Sequence, residues 1–121
     1  MKRLLFFLLL GLIAPIATAQ SSNAAYYMRK AEDYKRDAQY YFNKAKDYAR
    51  DAEYYERKAA DYFDEAGYYA RRGNIDKADW YKDQAEDALD KAETRRDWEK
   101  DATEKAETRL KWAADALEKA R

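Results

Sequence analysis

An all-α chain, folded as a long antiparallel two-helix coiled-coil hairpin with an alanine/tyrosine heptad seam, is predicted here by three features of the sequence. Alanine recurs every seven residues from Ala24 to Ala66, and a tyrosine follows three places after each, from Tyr27 to Tyr69. From Gln20 onward there is no proline, the glycines are Gly67 and Gly73, and most other residues are Ala, Glu, Lys, Arg, Asp or Tyr, a composition that favours long helix over strand. The repeat is interrupted once, at Arg72-Gly73-Asn74-Ile75-Asp76, and the segments on either side are nearly equal in length.

The first element is a leader. Lys2 and Arg3 precede an apolar run from Leu4 to Ile13, followed by Pro15 and the small-x-small site Ala17-Thr18-Ala19. That layout predicts a secretory signal peptide over residues 1–19, cleaved after Ala19, and hence a periplasmic or extracellular protein. A retained membrane span is the rival reading, but the run is half the length of the about 20 apolar residues a bilayer requires. The mature form is therefore expected to have no stable span, and the absence of cysteine leaves no thiol to acylate or to build a disulfide framework. Without Lys2 and Arg3 the basic residues fall from 24 to 22 against 24 acidic ones. No basic excess remains to track a nucleic-acid backbone.

After a short lead-in, residues 20–23, the predicted helix 1 covers residues 24–72. Residues 24–37 read AAYYMRKAEDYKRD, 38–51 AQYYFNKAKDYARD and 52–65 AEYYERKAADYFDE, so the unit is fourteen residues, or two heptads. With Ala24 at position a, the a series continues through Ala31, Ala38, Ala45, Ala52 and Ala59, and the d series through Tyr34, Tyr41, Tyr48, Tyr55 and Tyr62. A strict seven-residue apolar repeat implies a left-handed supercoil around a partner helix.

The turn is expected at residues 73–76. Gly73 accepts the left-handed conformation that ends a helix, and Asn74 or Asp76 is suited to cap the next one. Helix 2, residues 77–121, has its own fourteen-residue unit, DKADWYKDQAEDAL, DKAETRRDWEKDAT and EKAETRLKWAADAL. Its a positions include Ala78, Ala85, Ala92, Ala106 and Ala113, its d positions Tyr81, Arg95 and Arg109, and Leu89, Leu110 and Leu117 widen the apolar stripe at e. A short connection makes the helices antiparallel neighbours, with tyrosine knobs of helix 1 in alanine-walled holes of helix 2. The packing style resembles the alanine-seamed antiparallel coiled coils called Alacoils, a resemblance that implies no activity.

An alanine seam supplies little apolar area for this length of ordered chain, which predicts a further partner, most simply a second copy and a helical bundle. The candidate association face is the row of first tyrosines in each doublet, Tyr26, Tyr40, Tyr54 and Tyr68 at position c, joined by Trp80 at c and Trp98 and Trp112 at g of helix 2. Repeated exposed aromatics mark association surfaces. The plainer alternative lays these rings against Lys and Arg stems on a solvated face.

The g positions of helix 2 are Lys77, Lys91, Lys105 and Lys119 alternating with Gln84, Trp98 and Trp112. They offer no carboxylate to Lys30, Lys44 and Lys58 at g of helix 1, so those lysines are expected to pair with Asp33, Asp47 and Asp61 or with acids of another chain. Arg95 and Arg109, on the helix 2 seam, either lie over tyrosine faces or snorkel outward.

Chemistry is sparsely equipped. Histidine and cysteine are absent, removing the usual imidazole base, the thiol nucleophile and the ordinary zinc, copper and haem ligands. The pairs Asp33 with Asp37, Asp47 with Asp51 and Asp61 with Glu65 lie beside Lys or Arg and lack a calcium-loop turn, so neither metal nor cofactor is expected. The expectation is an exported, non-enzymatic structural or self-assembling protein. Its alternative is a binding or adaptor module whose Tyr and Trp faces hold a ligand, a glycan or another exported protein.

Overall fold

The computed structural model describes residues 22–121, and the expected signal peptide and the first half of the lead-in lie outside these. The described chain forms two helices that pack against each other, α1 (Ser22–Arg71, 50 residues) and α2 (Ile75–Lys119, 45 residues). No strand occurs among the described residues, and no described helix is long and apolar enough to cross a membrane. Helix-favouring residues fill both elements. Thr94 and Thr108 avoid competing for helical amides by donating their hydroxyls back to the Asp90 and Glu104 carbonyls at 3.1 and 2.9 Å. Arg71 and Lys119 in the last turns, and Asp76 in the first turn of α2, complement the helix dipoles.

The break between the helices has a definite chemistry. Gly73 adopts φ 80°, and its N–H donates to the Ala70 carbonyl at 3.1 Å while the Asn74 N–H donates to the Tyr69 carbonyl at 3.0 Å. This is a Schellman stop, which satisfies carbonyls that the end of α1 leaves open. Asn74 then serves the next helix as well. Its carbonyl accepts the Ala78 N–H at 3.1 Å, and its side-chain oxygen accepts the Lys77 N–H at 3.3 Å. Asn74, not Asp76, is therefore the cap of α2, and one residue closes α1 and opens α2.

The chain divides into two compact units, one containing the stretch up to Asn43 with Ala102–Arg121, the other Lys44–Asp101. In the first, Ala38, Phe42, Ala106 and Leu110 form one buried cluster against Tyr41, and Ala31, Ala113 and Ala116 form another against Tyr34 and Leu117. In the second, every buried apolar residue is an alanine: Ala45, Ala52 and Ala59 of α1 with Ala78, Ala85, Ala88 and Ala92 of α2. Leu89 departs from the apolar stripe expected of it and stays exposed, as does Phe63 at the e position of α1. Among the described residues no large side chain is fully buried.

Candidate interaction surface

The seven d tyrosines are neither buried nor free. Each is only partly buried, because the alanine beside it is too short to cover a whole phenol ring. What covers most of them comes from the g positions of α2. In the Lys44–Asp101 unit, the Lys77 ammonium lies 4.9 Å from the Tyr69 ring centre and that of Lys91 5.7 Å from Tyr55, while Trp98 meets Tyr48 edge-on at 5.5 Å. The other unit repeats the scheme, with Lys105 5.8 Å from Tyr41, Lys119 5.8 Å from Tyr27, and Trp112 edge-on to Tyr34 at 5.5 Å. Cation over ring and ring edge against ring face are both attractive to the negative face of a phenol. Within each unit the pairs descend α1 as they ascend α2.

A second layer holds these contacts. Arg109 stacks over Trp112 at 4.5 Å, lies 5.6 Å from the Tyr41 ring, and approaches the Asp37 carboxylate at 3.7 Å. Arg95 does the same with Trp98 at 4.4 Å, Tyr55 at 5.7 Å and Asp51 at 3.7 Å. With about a quarter of each side chain exposed, both arginines combine the two behaviours their seam position allows, packing against rings and reaching out to a carboxylate. At the opposite edge of the Lys44–Asp101 unit, Arg96 makes a 2.6 Å bond to Glu56 and a 3.1 Å bond to Glu99, and these carboxylates raise its already high pKa.

The c tyrosines are a distinct population. Tyr26, Tyr40, Tyr54 and Tyr68 are 41 to 56 % exposed, two in each unit, and Trp80 is exposed beside the turn. Each ring leans edge-on against the d tyrosine that follows it, at 5.1 to 5.2 Å. Neighbouring cations lie over these rings: Lys30 over Tyr26 and Lys58 over Tyr54, both at 5.5 Å, and Arg72, just past the end of α1, over Tyr68 at 4.4 Å. The hydrogen bond to the Tyr26 or Tyr54 hydroxyl, aided by attraction to the same phenol, holds each of those ammonium groups above its ordinary pKa. Lys30 and Lys58 therefore sit on tyrosine, whereas Asp33 and Asp47 pair with Arg36 and Arg50 at 3.5 and 3.7 Å. The remaining rings named for the association face, Trp98 and Trp112, belong to both settings: more than 40 % exposed, yet each in contact with a d tyrosine.

In the first unit these groups border an open groove of about 370 Å³, walled by Tyr26, Tyr27, Tyr34 and Trp112 with Lys30, Lys119 and Asp115 at its rim and Ala116 below. Among the described residues no group of three carboxylates converges as a metal site; Asp37 and Asp51 turn to Arg109 and Arg95 instead. Phe42 and the ring-covering role of the α2 lysines are not visible in a seven-residue reading of the sequence. Phe42 occupies an e position off the Ala/Tyr seam and packs on Leu110, the e residue of α2 already in the expected apolar stripe; the signal that could have paired them is that both are large apolar residues at e. The α2 lysines were discounted for want of carboxylates, although a tyrosine face also receives a cation. No protein-family model matches the chain, and no curated protein or solved structure matches it either.

Proposed function

We propose that this is an exported, non-enzymatic protein, a long antiparallel two-helix coiled-coil hairpin that self-associates through its c tyrosines into a helical bundle in the periplasm or outside the cell. The observation that carries the reading is the contrast between the two tyrosine sets. The d rings have partners on the facing helix and are partly buried, whereas the c rings are 41 to 56 % exposed in both units, each leaning on the d tyrosine that follows it. A second copy suits that face on three counts. An alanine core without one fully buried large side chain leaves stabilising area to be found elsewhere. Lysines and aspartates alternate with the tyrosines, so the face is complementary to itself. Near-zero net charge removes the repulsion that would keep copies apart.

The test is light scattering on the protein beginning at Gln20, beside a Tyr40→Ser/Tyr54→Ser variant. The reading expects an oligomer that falls to monomer mass in the variant with helical content largely kept. An unaltered mass in the variant would count against the c face. A second reading, a binding module for a glycan or client protein, draws support from the groove between Tyr26 and Trp112 with its lysine rim. It expects Tyr26→Ser to abolish ligand capture without changing the mass.

A further inference from the structure

Near the turn, three tyrosines from both helices meet. Tyr69 and Tyr81 stack with ring centres 5.5 Å apart and planes only 3° from parallel, and Tyr62 approaches Tyr81 at 6.2 Å and 34°. All other tyrosine pairs described above meet edge to face, which turns an ortho carbon of one ring away from those of the other. Near-parallel planes with centres 5.5 Å apart instead describe offset stacking, the arrangement in which ring carbons of one tyrosine can slide over those of the other. The three rings are partly exposed, so a small oxidant or a radical carrier reaches them.

From this geometry we infer that Tyr69 and Tyr81 are a site of oxidative cross-linking, a dityrosine bond tying α1 to α2 across the turn. The oxidant is hydrogen peroxide acting through a haem peroxidase. Each phenol loses one electron and one proton to become a phenoxyl radical. The two radicals combine through a carbon–carbon bond between positions ortho to the oxygens, and the ortho hydrogens shift to the oxygens, restoring both phenols. Overall the protein loses two hydrogen atoms and one peroxide becomes two waters. In a chain with no cysteine, the bond does what a disulfide does elsewhere, closing a short loop between two helices. The inference does not depend on self-association, since both rings belong to one chain.

The test is to treat the purified protein with peroxidase and peroxide, follow dityrosine fluorescence, and map tryptic peptides. The expected product is a chain of single-copy mass in denaturing gels in which peptide 59–71, holding Tyr62, Tyr68 and Tyr69, is joined through Tyr69 to peptide 78–82, holding Tyr81, with two hydrogens missing, the linked tyrosine assigned by fragmentation. Tyr81→Phe should remove that product, and Tyr69→Phe should lower its yield about fivefold or more, the remainder passing through Tyr62. Phenylalanine keeps the ring, and circular dichroism checks that both variants stay helical. Peptide 78–82 recovered unlinked from the oxidised, unaltered protein overturns the inference. So does dityrosine found only between chains, through Tyr26, Tyr40 or Tyr54, a result that would favour self-association alone.

Discussion

Arg109 shows how a single residue serves this interface. It touches Trp112, Tyr41 and Asp37 at once, and Arg95 repeats the set with Trp98, Tyr55 and Asp51. Removing it loses a cation over two rings and a partly exposed ion pair, so Arg109→Ala should lower stability by about 1 kcal/mol in urea denaturation. Lysine should recover only part of this, since it has no planar face to stack on the indole. The alanines act in the opposite sense, by being small. Ala52 and Ala106 are fully buried between helices, so a leucine at either should force the backbones apart and cost about 1–3 kcal/mol. Lys30 and Lys58 set a pH dependence. Both have folded pKa values raised above the ordinary 10.5, so whatever stability they add is complete below that value and lost as pH climbs through the higher folded one. Thermal melts between about pH 7 and pH 11 should show no loss from these groups near neutrality. A decline should enter only in alkali and be shallower in Tyr26→Phe/Tyr54→Phe.

At the scale of the elements, the helices and their break were legible because the signals are local. Spacing of seven marks the seam, and glycine followed by asparagine marks the stop and the cap. Choosing between Asn74 and Asp76 as cap was not legible, because both side chains carry a suitable acceptor and only the backbone path decides. The lids over the d tyrosines were legible only in part. Trp98 and Trp112 were visible as periodic rings, but whether a ring at g leans outward or over the neighbouring helix depends on the facing residue, which a single helix pattern does not contain. The turn carries more than a change of direction. A slip of seven residues would exchange lysine and tryptophan partners along much of the tyrosine row, whereas a slip of fourteen would largely restore the same chemistry; the three-residue connection is what excludes the latter. Gly73→Ala, which places a side chain at φ 80°, should cost about 1–2 kcal/mol, and Asn74→Ala about 1 kcal/mol, both read as shifts in the urea midpoint.

For the molecule as a whole, the sparse core and the exposed tyrosines point the same way. Two helices with 50 and 45 residues pack chiefly through methyl groups, and Phe42 and Leu110 are the only larger side chains among the buried apolar residues described. Alanine seams allow close approach but remove little surface per residue from water, which leaves a lone pair of such helices short of stabilising area. The scarcity of core was readable from composition. The exposure of the c rings followed from their place in the heptad, and basic side chains lying on them were legible as the plainer alternative, but which cation takes which ring was not, since a lysine four residues away has several partners within reach. Sedimentation equilibrium on the protein beginning at Gln20, run over a dilution series down from tens of micromolar, tests self-association most directly. Self-association through the c tyrosines predicts a mass of two copies or more at the upper end, falling toward one copy on dilution with helicity largely kept. A cooperatively folded, fully helical species at the mass of one copy throughout the series would contradict it.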